Sequence, residues 1–234
     1  MLQDFTEIYV LNLTVTSDTR SSLIADINEQ KQRLECSSIR PEMLGQLWQR
    51  RILCSSSLRN GEGLAEWENA SQYVALKLAA PEKISTHYLS AIQAILAPDS
   101  SGLRTEAVFS ANEEYLELPT ALKLFREMDA TLAPYSAQPL LLAFFYYLWV
   151  VTIHPFKNGN GRCARLAADW VLLDSGYLPL TFNSPIASHV AQTKGGTKRE
   201  LGSSFARFCK GLRNSYTFLL KKSHLISTHS LIFQ

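Results

Sequence analysis

The run LLLAFFYYLWVVTI, residues 140–153, constrains the fold more than any other part of the chain. It carries no charged residue, so as a helix it has to be covered on every side. At 14 residues it is shorter than the roughly 20 that a membrane-spanning helix needs. It therefore reads as the central helix of a hydrophobic core, in a soluble protein that does not enter a membrane. The opening MLQDFTEIYVLNLTVTSD has no basic n-region followed by a continuous apolar stretch, so a Sec signal is not expected. The localisation reads as cytoplasmic, with export by a non-Sec route left open.

The segments around that run are helical by period. Met43, Leu44, Leu47, Trp48 and Ile52 recur at helical spacing, with Pro41 suited to a first turn. CSSSLRNGEG (54–63) breaks this helix, and LAEWENASQYVALKLAA (64–80) resumes it before Pro81. ISTHYLSAIQAIL (84–96) is a further helix with Ser85 as its expected N-cap. LRTEAVFS (103–110) changes period and reads as extended, opening a hairpin. Helices follow over 118–133, through the apolar run, over 162–176 with Gly176 placed to end it, and over 201–222. The sum is a mostly α single domain with one small β element. Residues 1–38 read as an N-terminal extension, 39–222 as the domain and 223–234 as a tail.

Composition narrows the function. The chain has 234 residues, 46% apolar and 19% charged, enough for one large core. Its net charge of +2 argues against a dedicated nucleic-acid binder. Cys36, Cys54, Cys163 and Cys209 make no CxxC pair and no Cys/His zinc spacing, so they read as buried free thiols in a reducing compartment. His87, His189, His224 and His229 have no partner pattern. Tyr115, Tyr146 and Tyr147 read as core or rim aromatics. Oligomeric state is not legible here.

The chemistry concentrates in HPFKNGNGRCAR, residues 154–165. The apolar helix ends at His154-Pro155, because proline drives the preceding residue away from αR. Gly159-Asn160-Gly161 can take positive φ and turn its amides toward one point. With the free N–H groups and dipole of the next helix, beginning near Arg162, those amides form an anion site. Arg162 and Arg165, three apart, both reach its mouth, and guanidinium forks suit phosphate oxygens. His154, at the negative end of the preceding helix, is expected to be made more basic there and to serve as a general base. Phe156 would anchor the loop. Singly, each feature has a structural reading: a capping histidine, a glycine turn, two solvated arginines. Their order together points to a base beside a polyphosphate site. GNGRCA also fits G-x-G-x-x-A, but no strand precedes it directly and no βαβ alternation surrounds it. No Gly-Lys-Ser/Thr follows, so it is not a P-loop.

This stretch resembles the signature of the Fic-domain family, H-P-F-x-D/E-G-N-G-R-x-x-R, and the surroundings are similar over roughly residues 40 to 220. The resemblance implies a mainly α, single-domain Fic-like helical bundle with a short β-hairpin flap from Gly102 onward. It implies transfer of AMP from ATP, a substrate, to a Ser, Thr or Tyr hydroxyl of a target protein. On that pattern His154 is the general base, and Gly159, Asn160 and Gly161 cradle the α- and β-phosphates. Arg162 and Arg165 hold the outer phosphates. Arg104, Thr105 and Glu106 lie on the flap, which pairs with the target segment by strand addition.

Two departures stand out. The family's acidic metal ligand is Asn158 here, whose amide oxygen can bind Mg²⁺ without bringing charge, so Mg²⁺ is expected to be weakly held. Activity falls accordingly, or passes to another donor (another nucleotide, phosphate or phosphocholine), or is lost in a nucleotide-binding interaction module. Lys157 next door is a candidate to replace part of the metal's charge. The second departure concerns the autoinhibitory pattern S/T-x-x-x-E-G/N, which Ser55, Arg59 and Asn60 match in spacing with arginine in place of glutamate. Arg59 would repel Arg165 or help it hold phosphate. The resemblance then implies loss of glutamate-dependent autoinhibition and of the reverse reaction.

Overall fold

A computed structural model describes residues 17–37, 39–56, 63–110, 113–114, 116–181 and 198–232. Eight α-helices run through them: α1 (Ser17–Glu35), α2 (Pro41–Ser56), α3 (Leu64–Ala79), α4 (Thr86–Leu96), α5 (Leu118–Leu132), α6 (Pro139–Ile153), α7 (Asn160–Asp174) and α8 (Lys198–Ile232). The apolar run is α6, and it lies where its composition requires. Phe144, Val150 and Ile153 have no exposed surface, and Tyr146 and Tyr147 are buried with them. Phe144 makes edge contacts with Phe205 and Phe208 of α8, at 5.2 and 5.5 Å between ring centroids. Such aromatic pairs add to the area they bury. α7 packs most extensively against α6 and also against α3 and α4, so the helix that follows the motif is held on three sides. No helix among the described residues is long and apolar enough to cross a membrane.

The segment expected as an N-terminal extension contributes to the same core: α1 packs against α8 and buries Ile27 completely. α8 runs on through residue 223 to Ile232, past the point where a tail was expected. Ser85 occupies the N-cap of α4 in an extended conformation, yet its side chain caps nothing. That task passes to Asp129 of α5, whose carboxylate accepts the Thr86 N–H (2.9 and 3.1 Å) and the Thr86 hydroxyl (2.9 Å). α7 ends as expected at Gly176, φ 73°, with the Tyr177 N–H returning to Leu172 O at 2.8 Å. Of the cysteines, Cys163 and Cys209 are buried free thiols, while Cys36 is exposed.

The extended segment pairs elsewhere than expected. Phe109–Ser110 (β1) lies antiparallel to Glu113–Glu114 (β2), two residues on each side, which is too little to make the β-hairpin flap. The hydrogen bonding of the preceding residues is spent on the motif instead. Leu103 bridges Phe156, the Arg104 N–H donates to Pro155 O at 2.9 Å, and the Lys157 N–H donates to Gly102 O at 3.2 Å.

Candidate functional site

The motif loop is closed by its own asparagine. Asn160 is 2% exposed, and its side chain accepts the Phe156 N–H (3.0 Å) and donates to Phe156 O (2.9 Å). With the side chain committed inward, what Asn160 offers a ligand is its backbone at the first turn of α7. Phe156 is fully buried against Phe125, 5.2 Å between centroids, and anchors the loop as expected. Gly159 caps α7 at φ 80°, a conformation that favours glycine. α7 itself starts at Asn160, two residues ahead of the expected Arg162.

Sequence reasoning missed the residue that holds this loop to the body. Gln93 of α4 is fully buried, and its amide donates to Asn158 O (3.0 Å) and Ser100 O (3.1 Å) while accepting the Gly102 N–H (2.8 Å). One amide therefore fastens the motif loop, the 98–100 turn and the start of the extended segment. The available signal was a glutamine on the buried face of an apolar helix, between Leu89 and Leu96, where a polar group has to be satisfied.

His154 caps α6 in the left-handed region, φ 50°, with its N–H on Val150 O at 3.1 Å. Proline's bias against αR is met, by αL rather than by an extended conformation. The expected rise in basicity is reversed. Burial lowers the imidazole from 6.5 to about 4, and the Arg104 guanidinium acts in the same direction; the Val151 carbonyl opposes them. Desolvation outweighs the helix dipole here. Nδ1 lies 3.3 Å from Val151 O. The tautomer that donates there leaves Nε2 as the basic nitrogen.

Arg162 and Arg165 both fold over the loop. A methyl group at Gly161 would lie 3.6 Å from Arg165 Nη1, and one at Gly159 3.9 Å from Arg162 Nη2. Arg162 also runs under Gly63, at the start of α3, where a methyl group would lie 2.6 Å from Nη1. A recess of about 210 Å³ opens here, lined by Arg162, Asn158, Asp99 and Ser100, with Gly63 just before α3 and Glu66 in its first turn. Arg165 lies over the ring of Trp67, 5.4 Å from its centroid, and Arg51 lies over the same ring at 5.1 Å. Arg51 is buried, and burial followed by the field of Arg165 lowers it to about 9. It is compensated by an ion pair with the equally buried Asp169 of α7, which also accepts the Leu180 N–H at 2.7 Å. Nothing in the sequence announced this set.

Arg104 turns inward at 2% exposure, so its side chain does not face a target, whereas Thr105 and Glu106 are exposed. Ser55 lies in the last turn of α2, and Arg59 lies outside the described residues. At the expected metal position, Asn158 Oδ1 is a neutral oxygen that already accepts the Gly159 N–H at 2.7 Å. Among the described residues no group of three or more His, Cys, Asp or Glu side chains is gathered to hold a metal. Asn158 brings no charge to a hard cation, and the carboxylates that line the same recess are those of Asp99 and Glu66.

The arrangement is thus a buried imidazole, a loop of amides at a helix N-terminus and two guanidinium groups above it. Residues 83–172 match the model of the Fic/DOC family. They form a Fic-type domain. A stretch of 65 residues is 40% identical to the protein adenylyltransferase and cysteine protease IbpA of Histophilus somni, covering 27% of this chain and 2% of that relative. The whole fold is similar to a Fic-domain-containing signaling protein from Bacteroides thetaiotaomicron, with TM-score 0.66 and 15% identity over 86% of this chain and 97% of that one. It is also similar to IbpAFic2 covalently tethered to Cdc42, with TM-score 0.55 and 19% identity over 79% of this chain and 69% of that one. These likenesses show a Fic helical fold, with α1, α2 and α8 built around the matched core.

Proposed function

We propose that this chain transfers AMP from ATP to a Ser, Thr or Tyr hydroxyl of a target protein. The reading rests chiefly on His154, a largely buried imidazole kept neutral at physiological pH, within one loop of the amides and guanidinium groups of a polyphosphate site. It is supported by the Fic/DOC match over residues 83–172 and by the adenylyltransferase named in the 40%-identical relative. The backbone N–H groups of Asn160 and Gly161 take the inner phosphates at the positive end of α7, and that of Gly159 joins them as it exchanges Asn158 Oδ1 for a phosphate oxygen. Arg162 and Arg165 hold the outer ones and supply the positive charge that Asn158 does not. The target hydroxyl oxygen bonds to the α-phosphorus, the bond from that phosphorus to the bridging oxygen breaks, and pyrophosphate leaves. His154 Nε2 takes the hydroxyl proton. No step is routed through a metal. A protein target is supported by the IbpAFic2 structure tethered to Cdc42. The exposed residues Thr105 and Glu106 mark the edge on which a target segment would lie.

The neutral Asn158 favours a second reading: a Fic fold that uses another donor, or that binds nucleotide without turnover. One experiment separates them. Purified protein is incubated with ATP labelled at the α- or at the γ-phosphate, with and without Mg²⁺, as wild type, His154→Ala and Asn158→Asp. AMP transfer gives label from the α-phosphate alone, lost in His154→Ala and increased by Asn158→Asp in Mg²⁺. Label from the γ-phosphate alone indicates phosphate transfer. No label with ATP still bound leaves the silent module or a different donor.

A further inference from the structure

Arg104 is the most deeply buried charged residue beside the base, and the geometry of its bonds is unusual. Its guanidinium donates from Nη1 to Glu106 O at 3.3 Å and from Nη2 to Leu116 O. Those two carbonyls flank the segment that carries β1 and β2. Its own backbone N–H meanwhile donates to Pro155 O, the residue after His154. One residue therefore joins three places: the entry to the exposed segment, its exit, and the corner that carries the base.

We infer that Arg104 is a positioning residue for protein-hydroxyl transfer: it clasps the two ends of the segment 106–116 and fixes them to the His154-Pro155 corner. The inference rests on the reading of the site as a protein-modifying one. A target segment that docks on the exposed edge at Thr105 and Glu106 is then registered against Nε2 of His154 by a single buried fork. The clasp needs arginine, because two acceptors on separate stretches of the chain, Glu106 O and Leu116 O, must be met at once by a planar group with fixed spacing. Lysine would keep the charge and satisfy these carbonyls less well. The same guanidinium acts on His154 through its field, in the opposite sense to the Val151 carbonyl that the ring approaches. Arg104 thus sets both where the acceptor lies and how the base is protonated. Nucleotide binding should depend on it far less, since Arg162 and Arg165 reach toward Gly63 and Trp67, at α3.

The test uses the full chain as wild type, Arg104→Met and Arg104→Lys, with three readouts. In Arg104→Met, amide hydrogen exchange over 105–117 should rise about tenfold, because the clasp that closes this local unit is gone. ATP affinity by calorimetry should stay within about twofold of wild type, while kcat for label transfer to protein falls by tenfold to about a hundredfold, as misplacement by an ångström does. The His154 ring titration by NMR should move upward, since a like charge has been removed. Arg104→Lys should keep the ring titration near wild type yet show the raised exchange, and it decides the matter if the methionine variant does not fold. Unchanged exchange in either folded variant overturns the clasp. An unchanged ring titration in Arg104→Met overturns the electrostatic part. If wild type transfers nothing, the functional reading fails on its own, while exchange and titration still decide what Arg104 holds.

Discussion

Acid should destabilise this protein through His154, and replacing that residue should remove the effect. The imidazole titrates at 6.5 in an ordinary setting and at about 4 in the folded chain, burial being the first cause. Between those values the unfolded chain binds a proton that the folded one refuses, so stability rises with pH across this window. The contribution is complete above about pH 6.5 and is lost as pH falls toward about 4. The full difference corresponds to ~3 kcal/mol at 1.36 kcal/mol per decade. The ring is partly open to solvent, so ~2 kcal/mol is the working figure. His154→Asn is the right comparison, because asparagine tolerates the positive φ that this C-cap requires. Urea unfolding at about pH 7 and about pH 4.5 should then show wild type losing ~2 kcal/mol more than the variant on acidification. Parallel losses in the two proteins, or a ring NMR titration at or above 6.5, would refute the argument that desolvation dominates at this corner. If it holds, AMP transfer should also lack an acid limb near pH 6.5, since the base stays deprotonated well below it.

Other perturbations probe the frame of the site. Asp169→Asn leaves Arg51 buried without its counter-charge and should cost about 3–5 kcal/mol in urea unfolding, whereas Arg51→Met combined with Asp169→Leu should recover at least half of the loss. Asn160→Ala removes both bonds to the Phe156 backbone and should cost about 2–4 kcal/mol, with ATP binding lost at the same time in calorimetry. Gly63→Ala places a methyl group against Arg162 at φ 73°; the backbone strain is about 1–2 kcal/mol, and ATP affinity should fall as the guanidinium is displaced. Unchanged affinity would mean that Arg162 swings aside without cost to the phosphate site.

The fold was legible wherever period or composition left one solution. The apolar run could only be a covered helix, and Gly176 and Pro81 mark helix ends by backbone physics that needs no partner. The motif was legible for the same reason: a glycine loop, a helix start and two arginines are local. What the sequence hid was non-local. Asp129 caps a helix 43 residues away and displaces the expected Ser85. Asp169 meets Arg51 across 118 positions. The direction of the His154 shift depended on how much of the ring α6 and its neighbours cover, and an isolated helix end predicts the opposite sign. Arg104 looked like one of three consecutive target-facing residues because strand alternation gives a sign only once the paired side is known; the pairing with Pro155 and Phe156 turns it inward.

The same holding of local segments by distant groups bears on Asn158. Beyond the one bond from the Gly159 N–H to Asn158 Oδ1, which a carboxylate oxygen would accept equally, the motif loop is held from elsewhere: Asn160 closes it, Gln93 ties its carbonyl at 158 to α4, and Phe156 pins it in the core. Exchanging a carboxylate for an amide there changes the charge of the site while the backbone donors keep their places. A loop built to collapse without its acidic residue would have lost anion geometry together with metal binding. This loop separates the two, so in the proposed site the positive charge of Arg162, Arg165 and the α7 terminus would meet the phosphates without a carboxylate opposing it at 158. If the proposed function holds, donor binding should survive where metal dependence changes, and ATP calorimetry with and without Mg²⁺ on wild type and Asn158→Asp checks this.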